Sequence, residues 1–297
     1  MCRTGGAKPE VDPLVAALER KASTGSSGRV SSAVVFAGEG WRVLDVVCTC
    51  GPRDPVVEER HGDASISLVL AGTFVCRSPH GRSLLSAGSL FLGSAGQVFE
   101  CSHQHGEGDR CLSFHFDADT FERLAHDAGA PRASFDHHAL PPLRDFARVS
   151  ARAQALSRWG GKDEAEEVAF EFAGTVLRAL RGLPVQASSS PSQQGRIARL
   201  LRQLETAEDK PRTLAELAEA SGLSRYHFLR TFRDVTGVTP HQWLLRTRLR
   251  DAAERLASGR GRITDIAFES GFEDLSNFVR SFRSEFGMSP RAYRAAA

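Results

Sequence analysis

The sequence of 297 residues lacks any apolar run long enough to cross a bilayer, and its N-terminal stretch MCRTGGAKPEVDPLVAALERKASTG lacks the apolar core of a secretion signal. We therefore predict a cytoplasmic protein with no membrane partner. Cysteine is scarce, with six residues in the chain, so no disulfide framework is expected in a reducing compartment. The six cysteines are then reduced thiols, small buried residues or metal ligands.

A large charge of one sign is also absent, because 38 Lys and Arg nearly balance 36 Asp and Glu, for a net charge of +2. The balance differs along the chain. From residue 193 onward there are 18 basic against 13 acidic residues, a net charge of +5, whereas the preceding part carries −3. The basic excess is nearly all arginine, which favours a C-terminal domain that binds a polyanion.

The length and the hydrophobic patterns predict an α+β chain of several parts. Residues 32–118 are short strands separated by Gly, Pro, Asp and Ser turns, typical of an all-β barrel or sandwich. Residues 119–182 predict a short helix and a helix pair whose apolar stripe needs burial on the β domain or on a second copy of the chain. Residues 1–31 are an N-terminal extension, residues 183–193 a flexible linker, and residues 194–297 an all-helical domain.

The helical domain contains an internal repeat. The stretch AELAEASGLSRYHFLRTFRDVTGVTPHQW (215–243) matches TDIAFESGFEDLSNFVRSFRSEFGMSPRAY (264–293) at an offset of 49 to 50 residues. Each copy predicts a short helix, a turn at Gly222 or Gly271, and a second helix, which is the helix-turn-helix arrangement. The second helices carry phenylalanines four residues apart on one face, which we interpret as core residues (Phe228, Phe232, Phe278 and Phe282).

The opposite face of each second helix carries residues suited to DNA. Arginine binds guanine edges bidentately, Asn and Ser bind bases, and apolar side chains contact thymine methyl groups. The candidate residues are Arg225, Tyr226, His227, Leu229, Arg230 and Arg233 in the first copy, and Leu275, Ser276, Asn277, Arg280 and Arg283 in the second. Of these, Arg233 and Arg283 suit phosphates, which position a protein on DNA without reading its sequence.

A helix of about five turns is predicted between the two copies, over TPHQWLLRTRLRDAAERLASG. Thr239 is its expected N-cap, Pro240 lies in its first turn and Gly259 ends it. A rigid spacer of this kind would place the second helices of the two copies in successive major grooves, about 34 Å apart. We call these two helices the reading helices.

The block from Gln194 to Arg294 resembles the DNA-binding domain of AraC/XylS-type transcription regulators, most specifically in GFEDLSNFVRSFRSEFGMSPRAYR. The resemblance implies a module with two helix-turn-helix units joined to an N-terminal sensing or dimerising domain. Carried over by position, the base contacts come from Tyr226, Leu229, Arg230, Leu275, Ser276, Asn277 and Arg280. Leucine at 229 and 275 replaces the polar residues often found there, so hydrogen-bonded readout is not expected at those two positions.

The β region more loosely resembles the cupin-like domain of the same family, with Gly72, Gly88 and Gly96 near the expected turns. The His-x-His of the first cupin motif is missing, and only His61 stands there. The three-His-one-Glu metal site of cupin enzymes is therefore not reproduced. This argues against dioxygenase or isomerase chemistry, and against the alternative of a cupin-type metalloenzyme fused to a DNA-binding module.

Metal-binding residue types are instead concentrated in ECSHQHGEGDRC, residues 100–111. Residues 101, 103 and 105 of one strand share a face. An odd-numbered turn after His105 would bring Cys111 of the next strand to the same face. The candidate set is then Cys101, His103, His105 and Cys111, suited to zinc or another soft divalent metal. Cys48 and Cys50 are interpreted as packing residues, with Cys50 as a fifth candidate ligand.

Four interpretations of this segment stay open: a metal site, a reactive thiol assisted by Arg110 beside Cys111, a small-ligand pocket, or a polar hairpin with a structural role. The sequence as a whole predicts a sequence-specific transcription regulator, not an enzyme, whose N-terminal domain senses one of these signals. The expected partners are double-stranded promoter DNA, RNA polymerase, an unidentified effector and a second copy of the chain.

Overall fold

A computed structural model describes residues 12–104, 106–159, 162–180, 189–206 and 214–296. The N-terminal half is built on nine strands, and the α+β fold class with a cupin-like barrel is confirmed. Among the described helices, none combines the length and apolar composition that a membrane crossing requires. The first helix and the strands are α1 (Pro13–Thr24), β1 (Val30–Gly38), β2 (Trp41–Cys48), β3 (Val57–Arg60), β4 (Ala64–Ser78), β5 (Gly81–Ser86), β6 (Leu90–Gly93), β7 (Val98–Ser102), β8 (Asp109–Phe116) and β9 (Ala139–Leu140).

Strand β4 organises the barrel because it pairs with four other strands. Its first half lies antiparallel between β6 and β8, and its second half pairs with β5 and β7. The change of partners falls where the β4–β8 register shifts between Val69 and Ala71, next to Gly72 at a positive φ of 76°. A bulge of this kind bends a strand, so one strand contributes to both sides of the barrel. The sheet continues through β8 and β2 to β1.

The helix pair packs on the outer face of the barrel. After α2 (Ala118–Asp127) and a short 3-10 turn (Arg144–Phe146) come α3 (Ala147–Trp159) and α4 (Lys162–Leu180). Phe172 of α4 lies with its ring centroid 5.0 Å from that of Phe114 on β8, and both side chains are fully buried. The apolar stripe predicted for this pair is therefore buried within one chain, on the β domain, and does not require a second copy.

The described part of the C-terminal half contains seven helices, arranged as two helix-turn-helix units around a central helix. The units are α6 with α7 and α9 with α10, and α8 connects them. The bounds are α5 (Pro191–Thr206), α6 (Leu214–Ser221), α7 (Arg225–Thr236), α8 (Pro240–Ala257), α9 (Ile263–Glu269), α10 (Leu275–Phe286) and α11 (Pro290–Ala296). Each unit has its own apolar core, and the predicted double helix-turn-helix fold is confirmed.

The two halves are in contact. Val75 of β4 and Leu84 of β5 belong to the same buried cluster as Leu201 of α5, and α3 packs against α8. Helix α5 begins at Pro191, so it overlaps the end of the linker predicted over residues 183–193, whose residues 183–188 lie outside the described part. Helix α1, within the predicted N-terminal extension, contacts β2 and β8. The domain limits given above stay predictions.

Candidate nucleic-acid interface and cysteine–histidine cluster

The two reading helices are held by equivalent contacts. Phe228 and Phe232 are buried on the core-facing side of α7. Phe278 and Phe282 are buried in the same way on α10. The preceding turn glycines have φ values of 67° and 86°, which favour glycine because an L side chain is strained there. Ala218 of α6 and Ala267 of α9, which occupy corresponding positions in the two copies, are also buried. The same packing therefore presents the opposite face of each reading helix.

Nine of the eleven predicted DNA-binding residues have exposed side chains. They are Arg225, His227, Leu229, Arg230, Arg233, Ser276, Asn277, Arg280 and Arg283. Leu275 is half-buried against the core of the second unit, so much of its side chain is already used in packing. The side chain of Tyr226 lies outside what the structure describes. Leu229 and Val279 are exposed apolar residues at corresponding positions of α7 and α10.

The start of α10 is fixed by Asp274, whose carboxylate accepts hydrogen bonds from the backbone N–H groups of Ser276 (3.1 Å) and Asn277 (2.8 Å). This N-cap uses backbone donors and leaves the two side chains exposed. On α7, Arg230 lies 3.8 Å from Asp234 in an exposed pair. Exposed pairs of this kind contribute little energy, so the guanidinium of Arg230 can exchange that partner for a nucleic acid.

The connecting helix α8 has the predicted length and ends. Thr239 is its N-cap, and it forms a capping box in which its hydroxyl accepts from the Gln242 N–H and the Gln242 side chain accepts from the Thr239 N–H. Its 18 residues span about 27 Å at 1.5 Å per residue. Gly259 follows the helix at a φ of 69°.

The candidate metal set is not assembled in the way the sequence suggested. Strands β7 and β8 are not paired with each other, because β7 pairs with β3 and β4 while β8 pairs with β2 and β4. Cys101 lies opposite Cys76 of β4, whereas Cys111 lies opposite Val46 of β2 and Val69 of β4. His105 is outside the described residues. The hairpin assumed for this segment is therefore wrong.

Three other side chains converge near the end of β2. Cys48 and Asp109 are register partners at the end of β2 and the start of β8, and His103 follows β7. Their ligand atoms all lie within 4.8 Å of one another, and the three residues are buried. His103 Nε2 lies 2.5 Å from Asp109 Oδ1, and the Cys111 thiol donates to Asp109 Oδ2 at 3.4 Å. His103 of the predicted set is thus grouped with Cys48, which had been interpreted as a packing residue.

The environment of Cys48, Cys101 and Cys111 disfavours the reactive thiolate form of each side chain. Burial, followed by the negative charge of Asp109, raises the pKa of the Cys48 and Cys111 thiols above their ordinary value. A hydrogen bond with the Cys76 side chain, followed by burial, raises the pKa of Cys101. The expected assistance from Arg110 is also missing, because its guanidinium pairs with Asp45 at 2.8 Å and with Asp12 at 3.5 Å. These features oppose a reactive low-pKa thiol at Cys101 or Cys111.

The histidine that remains from the first cupin motif has a packing role. The ring of His61 stacks on Phe99 with centroids 4.2 Å apart, and its Nδ1 lies 3.3 Å from the Ser65 hydroxyl. Burial, followed by the positive charge that His115 can carry, lowers the pKa of His61 to about 4. His61 is therefore a neutral, buried side chain at pH 7.

Together, these features define a two-part protein in which a cupin-like barrel is packed against a double helix-turn-helix domain. Residues 47–227 match the family described as AraC-like ligand binding domain, and residues 217–296 match the family described as helix-turn-helix domain. Because the first match covers more than half of the chain, the protein belongs to the AraC-like family. The resemblance seen in the sequence is thereby confirmed.

The curated relatives match less than half of the chain. The HTH-type transcriptional activator RhaS of Yersinia pestis (strain Pestoides F) is 32% identical over 136 residues, which are 45% of this chain and 49% of that protein. The chain thus spans about half the length of the curated relatives it matches. Among solved structures, a ToxT variant from Vibrio cholerae strain SCE256 is 15% identical with a TM-score of 0.36, over 88% of this chain and 98% of that one. A cupin superfamily protein from Desulfitobacterium hafniense DCB-2 is 14% identical with a TM-score of 0.27, over 31% and 81%.

Proposed function

We propose that the protein is a sequence-specific transcription regulator that binds double-stranded promoter DNA through α7 and α10 and receives a signal in its barrel domain. The observation that carries this proposal is the repeated exposed face: two helices with buried phenylalanines each present an arginine one turn into the helix, Arg230 and Arg280. Such arginines bind guanine bidentately, and the neighbouring Ser276 and Asn277 suit other base edges. Arg233 and Arg283 would bind phosphates.

The role of regulator is favoured over that of a cupin-type enzyme. His61, the single histidine of the first cupin motif, stacks on Phe99 and is held by packing. The RhaS relatives are transcriptional activators by name, and we extend to this chain the regulation of transcription. RNA polymerase, a second copy of the chain and an effector are its proposed partners. From the residue types of the barrel we propose zinc or another soft divalent metal as the class of effector. The proposed location of the protein is the cytoplasm.

The test begins with selection of bound sequences from random double-stranded DNA by the full-length protein. The affinity of the selected DNA is then compared for the wild type, Arg230→Ala, Arg280→Ala and the control Arg20→Ala, which removes an exposed arginine from α1. We expect each reading-helix variant to lose about 1–3 kcal/mol and to relax base preference at one position. The control should bind as the wild type does. Unchanged affinity in both reading-helix variants would contradict the assignment.

A further inference from the structure

The cluster at the end of β2 combines three chemically different ligands in one buried place. Cys48 supplies sulfur, His103 nitrogen and Asp109 oxygen, each residue with 5 to 6% of its surface exposed. A thiolate and a carboxylate together carry two negative charges, which neutralise a divalent cation. A buried site gains from this neutrality because an uncompensated charge in the interior is costly. Sulfur and nitrogen ligands favour zinc-class ions over magnesium or calcium.

The backbone holds these ligands in place before any ion binds. Cys48 and Asp109 are paired across the β2–β8 ladder, so their separation is fixed by strand geometry. His103 is already within hydrogen-bonding distance of Asp109, and an ion bound between them would replace this direct contact. A cleft of about 130 Å³, lined by Cys48, His103 and Cys50 among others, opens beside the cluster. It provides an entry path and space for a fourth ligand.

The DNA-binding half contacts residues 106–108, which precede Asp109 in the sequence. Arg202 of α5 donates to the backbone carbonyls of Glu107 at 2.6 Å and Gly108 at 3.1 Å, and to the carbonyl of Thr73 at 2.7 Å. The approach is close, since a Cβ added at Gly106 would lie 1.8 Å from Arg202 Nε. Residues 106–108 therefore lie between two cluster residues in the sequence, His103 and Asp109, and are held by an arginine from the other half.

A second connection starts at the strand partner of Asp109. Gly72 of β4 is paired with Asp109 in the β4–β8 ladder, and its N–H donates to the carboxylate of Glu205 at 3.2 Å. Glu205 is one turn along α5 from Arg202. Both connections from the neighbourhood of Asp109 thus end on α5, the first helix of the DNA-binding half.

We propose that Cys48, His103 and Asp109 bind a zinc-class divalent metal ion, and that Arg202 transmits its binding to α5 and so to the DNA-binding half. This inference rests on the proposed regulatory function and identifies the signal and its route. Coordination fixes His103 and Asp109 at the two ends of the segment that Arg202 holds. The bound state is therefore the state in which α5 is most firmly held. Arg202 acts as a positioning residue and does not touch the ion.

The site is tested by metal stoichiometry. Full-length protein is stripped with a chelator and titrated with Zn²⁺ against a competing chromophoric chelator. We expect one ion per chain, and a loss of affinity of at least about tenfold in Cys48→Ser and in Asp109→Asn, since each removes an anionic ligand. Asp109→Asn is nearly isosteric, and circular dichroism verifies that both variants fold. Asp127→Asn, which removes an exposed carboxylate from the end of α2, is the matched control and should bind Zn²⁺ as the wild type does. Absence of wild-type binding, wild-type affinity in both ligand variants, or loss of binding in Asp127→Asn would each overturn the site.

The route is tested by amide hydrogen exchange in peptides from residues 191–206, with and without Zn²⁺. We expect Zn²⁺ to slow exchange in the wild type. In Arg202→Lys, which keeps the charge and loses the forked donor, one Zn²⁺ should still bind per chain but have little effect on α5. Equal exchange of the wild type with and without Zn²⁺ would overturn the coupling, as would a wild-type response in Arg202→Lys. Neither measurement uses DNA, so a failure to select any DNA sequence would refute the proposed function separately.

Discussion

Arg246 of α8 lies 3.1 Å from the carboxylate of Glu285 on α10, and a second nitrogen of its guanidinium donates to the backbone carbonyl of Pro142 at 2.7 Å. Both charged side chains are largely buried, with 14% and 9% of their surface exposed. One arginine therefore joins the central helix, the second reading helix and the segment that precedes α3.

Arg246→Ala should destabilise the protein strongly, because it leaves the carboxylate of Glu285 buried without its partner. Removal of one member of a buried ion pair costs about 3–5 kcal/mol. Urea unfolding at pH 7 measures the loss. The control is Arg255→Ala, which removes an exposed pair with Glu269, whose side chains are 41% and 63% exposed, and should cost less than about 1 kcal/mol. Equal losses in the two variants would contradict the structural importance of Arg246.

Arg233→Ala and Arg283→Ala should weaken binding of selected and unrelated DNA by similar factors, because their proposed contacts are with phosphates. Each variant should also reduce the slope of log affinity against log salt concentration by about 1. The measurement is a series of binding titrations at several salt concentrations. Loss of discrimination between DNA sequences with an unchanged salt slope would assign these arginines to bases instead.

Acid should destabilise the barrel through its buried histidines. Burial lowers the pKa of His61 and of His138 from an ordinary value of 6.5 to about 4. Between these values the unfolded chain binds protons that the folded chain excludes. Stability is therefore fully present above pH 6.5 and is lost as the pH falls towards 4.

His61→Phe keeps a ring against Phe99 and removes one titrating group. In urea unfolding with a chelator present, this variant should reduce the dependence of unfolding free energy on pH by up to about 1.4 kcal/mol per pH unit between pH 6 and 4.5. The comparison is with the wild type over the same range. An identical slope in the two proteins would show that His61 is protonated in the folded state.

The C-terminal half was predictable because its information is local and repeated. Phe228 and Phe232, the turn glycine Gly222 and the Thr239 cap each specify structure within a few residues, and a second copy repeats the pattern. Leu275 is the exception on the reading face. Its half-burial depends on packing against residues distant in sequence, which helical periodicity alone does not reveal.

The barrel was less predictable because strand pairing is not local. Cys101 and Cys111 are separated by nine residues in the sequence, yet their strands pair with different neighbours. Cys48 lies beside Asp109 because of the β2–β8 register, and no sequence motif indicates that register. The start of α5 could have been recognised. Ser190 and Gln193 exchange hydrogen bonds with each other's backbone around Pro191, a capping-box pattern that the Ser-rich composition concealed.

In the proposed function, one chain reads DNA with two helices, α7 and α10, held apart by α8. Methylation interference and hydroxyl-radical footprinting of the full-length protein on its selected DNA test it most directly. The predicted result is two major-groove contact patches on one face of the duplex, about 10–10.5 base pairs apart from centre to centre. Arg230→Ala should erase one patch and Arg280→Ala the other. A single patch that both variants weaken equally would contradict two separate reading helices.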